Sequence, residues 1–173
     1  LRSGAIAKFS PIMTEIIGFA NAGGYVMGIC NGFQILTESG LLPGALLHND
    51  SHKFICKNIY LKVETKNTLI TNQYSEKAIK IPIAHGEGKY FADEKTMKAL
   101  IQNDQILFKY CDENGNITEQ SNPNGSLLNI AGVCNADRNV FGMMPHPERA
   151  ADKELINLDG LTLFKSILNE ILA

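Results

Sequence analysis

The chain has 173 residues, a formal net charge of −2 and 45% hydrophobic residues, with no block of Lys or Arg. That length and apolar content suffice for one buried core, and the charge balance leaves no footprint for nucleic acid or an anionic membrane surface. No apolar run approaches the ~18 residues needed to span a bilayer, and four cysteines without a C-x-x-C pair exclude zinc-ribbon and thioredoxin patterns.

Ser10-Pro11 reads as a helix start, a hydroxyl cap followed by proline at the first helical position. Ile12, Met13, Ile16, Ile17 and Ala20 follow at helical spacing until Gly23-Gly24. Tyr25 to Ile29 is a short apolar run that predicts a strand buried on both faces. A helix follows from about Gly32 to Glu38 and stops at Ser39-Gly40. Helix, buried strand, turn and helix in that order predict a parallel α/β sheet. Phe54–Val63 and Ile79–Ala84 predict strands joined by a polar connection, "ETKNTLITNQYSEKA". Asp93–Ile101 predicts a helix and Ile106–Tyr110 a strand, before the Asn/Gly/Ser-rich loop "DENGNITEQSNPNGS". Leu127–Cys134 and Val140–Met144 predict two strands around the tight "NADRN". Asp159 then caps an amphipathic helix with Leu161, Phe164, Ile167, Leu168 and Ile171 on one stripe. No repeat or linker divides the chain, so residues 1–173 read as one domain.

Two motifs carry chemistry. "GICNG" puts Cys30 between Gly28 and Gly32 where strand becomes helix, the pattern of a nucleophile elbow, with the glycines relieving a crowded turn. A cysteine at a helix N-terminus is favoured as the thiolate, and the amide of Asn31 supplies half an oxyanion hole. A small cysteine buried in a tight turn is the bland alternative. "GMMPHPERA" places His146 and Glu148 two residues apart after a buried strand; in an extended segment both face one way, so the carboxylate can hold the imidazole toward a thiol. Alone, the segment also fits a proline-stiffened surface loop. The glycines around Glu87 in "HGEG" allow a close backbone approach to a ligand, with His85 and Glu87 projecting from the same turn; a plain hairpin remains the other reading. "HNDSH" spaces His48 and His52 as metal ligands would be on a helix. Its Asn-Asp-Ser cluster instead points to a loop and no third ligand is near, so no metal is expected.

"GICNGFQIL", "AHGEGKYF", "NPNGS", "IAG" and "GMMPHPERA" occur here in an order that resembles the glutamine amidotransferase subunits of phosphoribosylformylglycinamidine synthases, within the class I glutamine amidotransferases. The similarity runs from "GAIAKFSPIM" to the last helix. The resemblance implies an α/β fold of three layers, a mostly parallel, flavodoxin-like sheet flanked by helices. It implies a Cys-His-Glu triad of Cys30, His146 and Glu148 that hydrolyses glutamine to glutamate and ammonia. Substrate contacts would fall to Gln34, Asn31, Gly32, His85 and Glu87. It places "HGEG" near the active site or a subunit contact, and leaves "NPNGS" as a solvated loop or a docking segment. It further implies that ammonia passes to a large synthase subunit, with a small accessory subunit in the assembly. That large subunit uses ATP and Mg to make formylglycinamidine ribonucleotide in purine biosynthesis, and this chain needs no cofactor.

Family members carry several dozen residues before the position of Leu1, so the N-terminal strands and a second oxyanion-hole amide are expected to be lacking here. No signal-peptide pattern opens the sequence, and a reducing cytoplasm with free thiols is expected. Two rivals stand beside this reading: another α/β cysteine hydrolase, such as a γ-glutamyl hydrolase or a peptidase, and an inactive scaffold that binds the synthase subunit.

Overall fold

A computed structural model describes residues 3–172. Helices α1 (Ser3–Ala7) and α2 (Ile12–Asn21) lead into strand β1 (Val26–Ile29) and helix α3 (Asn31–Glu38), followed by β2 (Ala45–Leu47), β3 (Ile55–Val63), β4 (Ile79–His85) and β5 (Lys89–Phe91). Helix α4 (Glu94–Gln102) precedes β6 (Ile106–Cys111), β7 (Ile130–Cys134), β8 (Val140–Met143) and helix α5 (Leu161–Ile171). Asp93 caps α4 by accepting from the Thr96 N–H at 2.7 Å. At α2 the cap position falls on Pro11, without a side-chain cap, and Ser10 contributes its carbonyl to Met13 instead of its hydroxyl.

Six strands form one sheet in the order β1-β8-β7-β6-β3-β4, and β2 pairs with β5 in a separate antiparallel ribbon. The expectation of a mostly parallel sheet is corrected. The fold is α/β with a mixed sheet, but only β1 and β8 run parallel; β8/β7, β7/β6, β6/β3 and β3/β4 are antiparallel. The reason is connection length: a tight turn such as Asn135–Asn139 can only reverse the chain, whereas parallel neighbours need a long crossover.

Each face of the sheet has its own core. On one side Leu61, Ile81, Ile83, Phe108 and Phe141 pack with Leu163 of α5. On the other, Phe33 and Leu36 of α3 and Met97 and Leu100 of α4 cover Val133 and Val140. Strand β4 shows the underlying period of two: Ile79, Ile81, Ile83 and His85 are buried while Lys80 is exposed. The connection at 64–78 is not merely polar, because Leu69, Ile70 and Tyr74 enter the first core. Asp159 does not cap α5. Gly160 occupies that position, and the Asp159 carboxylate accepts from the Lys80 N–H at 2.7 Å, tying the helix entrance to β4. On the expected stripe Leu161, Phe164 and Ile167 are half-buried and Leu168 is exposed, while Leu163, off that stripe, is the fully buried one; the side chain of Ile171 lies outside the described residues.

Candidate active site

Between β1 and α3 the backbone turns at Cys30 with φ 53° and ψ −106°, a conformation that non-glycine residues rarely adopt. Strain of this kind costs about 1–3 kcal/mol and persists only where its surroundings impose it. Here the Cys30 N–H is held by the Met143 carbonyl at 2.8 Å, and the Cys30 carbonyl accepts the first helical bond from Gln34. Gly28 makes the bend possible: a Cβ there would lie 2.6 Å from the carbonyl carbon of Gly32 and 2.6 Å from Leu36 Cδ1. Gly32 differs from its sequence-based role, since a Cβ there meets open space, its φ is not positive, and it does not line the cleft described below.

His146 leaves β8 with its N–H on the Pro82 carbonyl at 2.9 Å. The pairing with Glu148 exists, but not through an extended segment. A 3-10 turn over Pro147–Ala150 folds the carboxylate back, so that Glu148 Oε1 sits 2.6 Å from His146 Nδ1. That contact assigns the proton to Nδ1 and leaves Nε2 as a lone pair, buried and without a protein partner. Arg149 Nε lies 3.5 Å from the same carboxylate oxygen.

Cys30, Asn31, Gln34, His85, Glu87 and His146 line one cleft of about 440 Å³, together with Phe54 and Arg149 at its wall. Cys30 Sγ lies 3.8 Å from the Ala84 carbonyl oxygen. The Gln34 side-chain N–H donates to the Glu87 carbonyl at 2.7 Å, leaving Oε1 buried without a partner. His85 Nδ1 faces Asn49 Oδ1 at 3.0 Å, and its Nε2 is likewise unpartnered. Of the five expected substrate contacts, four therefore line the cleft with Cys30 and His146, Gly32 stays outside, and Glu148 bears on the cleft through its contact with the His146 ring.

The expectation of a thiolate stabilised by the helix start is overturned. Burial raises the Cys30 thiol above its ordinary 9.0, outweighing the hydrogen bond from the Asn31 N–H and the charge of Arg149, while the Glu148 carboxylate pushes the same way as burial. Burial therefore favours the protonated thiol at this position. Burial, reinforced by His146, lowers His85 to about 4, so this imidazole is neutral at physiological pH.

Several residues that position the site had no visible signal. Asn124 and Ser126 of "NPNGS" are buried rather than solvated. The Asn124 amide donates to the Gly88 carbonyl at 2.8 Å, and the Tyr90 N–H donates to Ser126 Oγ at 3.0 Å. Asn49, fully buried, donates to the carbonyls of Lys53 and His85, each at 2.9 Å, and accepts from the Gly88 N–H at 3.1 Å. The turn at 85–88 is thus sewn to two distant loops. In "HNDSH" the His48 and His52 rings lie with centroids 6.3 Å apart, but His48 faces Glu87 at 3.4 Å and Asp50 pairs with Lys89 at 2.5 Å. Among the described residues no three His, Cys, Asp or Glu converge as a metal site would require, and no helix is long and apolar enough to cross a membrane.

Residues 3–160 match the model of the CobB/CobQ-like glutamine amidotransferase domain. The chain is 60% identical over 167 residues to phosphoribosylformylglycinamidine synthase subunit PurQ of Synechocystis sp., covering 96% of this chain and 75% of that one. It is 56% identical to the PurQ subunit of Acaryochloris marina, covering all of this chain and 74% of the relative. Among solved structures, PurLQS from Thermotoga maritima superposes with a TM-score of 0.83 at 45% identity, over 99% of this chain and 73% of that one.

Proposed function

The chain belongs to the glutamine amidotransferase subunits of phosphoribosylformylglycinamidine synthase, an enzyme of purine biosynthesis, and on that premise we propose that Cys30, His146 and Glu148 are its catalytic triad. The observation that carries this assignment is the His146 ring, held at Nδ1 by Glu148 at 2.6 Å with Nε2 unpartnered, in the cleft that Cys30 enters from a strained bend.

Because burial favours the protonated thiol, proton transfer from Sγ to His146 Nε2 accompanies attack on the glutamine side-chain carbonyl. Glu148 then faces an imidazolium and stabilises it. The imidazolium returns the proton to the departing nitrogen, ammonia leaves, and a γ-glutamyl thioester remains on Cys30. Water, deprotonated by the same ring, cleaves the thioester to glutamate and restores the thiol. The Asn31 amide, close enough to bond the sulfur, is the donor on this chain for the oxyanion. Gln34 Oε1, an acceptor without a partner, suits the α-ammonium group of the substrate.

Ammonia then serves the large synthase subunit, in an assembly with a small accessory subunit. Activation of formylglycinamide ribonucleotide, with its ATP and Mg, belongs to the large subunit, and the setting is cytoplasmic. Membership of this family sets aside the γ-glutamyl hydrolase and peptidase readings. A scaffold without chemistry would have no use for a strained cysteine that shares a cleft with an oriented imidazole. The test is a glutamine-mimicking electrophile applied to the assembled synthase, followed by peptide mapping. Label on Cys30, lost in Cys30→Ser together with glutaminase activity, is expected; full activity in Cys30→Ser overturns the assignment.

A further inference from the structure

His85 is not a member of the triad, yet its surroundings determine more about it than packing requires. Asn49 donates both amide hydrogens to backbone carbonyls, of Lys53 and of His85 itself. Its Oδ1 is therefore an acceptor only, and it takes hydrogen bonds from the Gly88 N–H at 3.1 Å and from His85 Nδ1 at 3.0 Å. That fixes the tautomer: the His85 proton sits on Nδ1, and Nε2 carries a lone pair. The ring is also clamped sterically, since a Cβ on Gly88 would lie 2.3 Å from His85 Cε1. His85 is 3% exposed, lines the cleft that holds Cys30 and His146, and its Nε2 has no partner. A buried acceptor left unpaired costs free energy unless a ligand supplies the donor.

We propose that His85 Nε2 accepts a hydrogen bond from the side-chain NH₂ of the substrate, making His85 a specificity determinant for primary carboxamides and Asn49 the positioning residue that sets its tautomer. The inference rests on the triad assignment above and extends it to the leaving group. An ester or a carboxylate presents only lone pairs at that place and is met by lone-pair repulsion; the amide nitrogen presents N–H. The bond persists as the nitrogen takes its proton from His146 and departs as ammonia, with no transfer to His85. Its weak basicity fits this, because a strongly basic ring would be protonated and turn from acceptor to donor.

The test compares L-glutamine with the γ-methyl ester of L-glutamate on the full chain bound to its synthase subunit. In His85→Leu, kcat/KM for glutamine relative to the ester falls about tenfold to a hundredfold, the size expected for one buried hydrogen bond. An unchanged ratio overturns the role of His85 and leaves the triad standing. If the wild-type complex cleaves neither substrate, the triad assignment falls as well. A second measurement is independent of the variant: ¹⁵N-histidine NMR of the wild-type chain shows His85 protonated at Nδ1, and a proton on Nε2 overturns the inference. Asn49→Ala releases the ring to a mixture of tautomers in the same spectrum, which loss of packing alone would not do.

Discussion

Gly28 and Gly32 stand four residues apart in one motif, and alanine at each should act in opposite directions. At Gly28 the added methyl would sit 2.6 Å from Gly32 backbone carbon and from Leu36 Cδ1. Carbon atoms in contact settle at about 3.5–4.0 Å, so β1 and α3 must part by roughly 1 Å. Overpacking of this kind costs about 1–3 kcal/mol. For a domain of this size each kcal/mol lowers Tm by about 2–4 °C. The same displacement moves Cys30 relative to His146, and misplacement of about 1 Å costs on the order of 10²-fold in rate. At Gly32 a methyl meets nothing, and replacing a helical glycine gains up to about 1 kcal/mol. Thermal denaturation and glutaminase assays of Gly28→Ala and Gly32→Ala check both arms. A Gly28→Ala protein with unchanged Tm and turnover would refute the claim that the elbow depends on that close approach.

Glu148→Gln should lower kcat by about 10²–10⁴-fold with a smaller change in KM, because the carboxylate orients and stabilises His146 without touching substrate; steady-state kinetics decide this. Gly88→Ala should displace the His85 ring and reduce glutamine turnover while Cys30 still reacts with iodoacetamide, measured by mass spectrometry. Arg149→Ala removes a charge that holds the Cys30 pKa down, so the pH midpoint of Cys30 alkylation should move upward; a downward move contradicts the electrostatics. Burial lifts Cys111 and Cys134 to about 11, above the ordinary 9.0 of a thiol. Folding therefore favours their neutral form: the stability they supply is complete below pH 9 and is lost as pH rises through about 11, which denaturant titrations at pH 8 and pH 11 should reveal.

What the sequence revealed follows from how local each feature is. The β1–Cys30–α3 bend was legible because an apolar run, a glycine and a helical period adjoin in a dozen residues, and the His146–Glu148 pair because two residues suffice to state it. Strand direction was not, since β1 finds its parallel partner in β8, far along the chain. The three-residue strands β2 and β5 are too short to show a period. Asn49 and Asn124 looked like turn residues because an asparagine buried to saturate backbone groups has the same spelling as one exposed in a loop. The acidity of Cys30 was misjudged for a related reason: the helix start is visible in the sequence, and the depth of burial that opposes it is not.

The junction of β1 with β8 bears on when the chain becomes able to do chemistry. The Cys30 N–H bonds to Met143, and Ile29 lies opposite Met143 in the parallel register, so the bend is shaped by the strand that comes after all others in the sheet. During synthesis Cys30 precedes both its shaping contact at Met143 and His146, the imidazole proposed as its base. A half-made polypeptide on the ribosome thus holds an ordinary cysteine, and glutamine is safe from it until the last strand has docked.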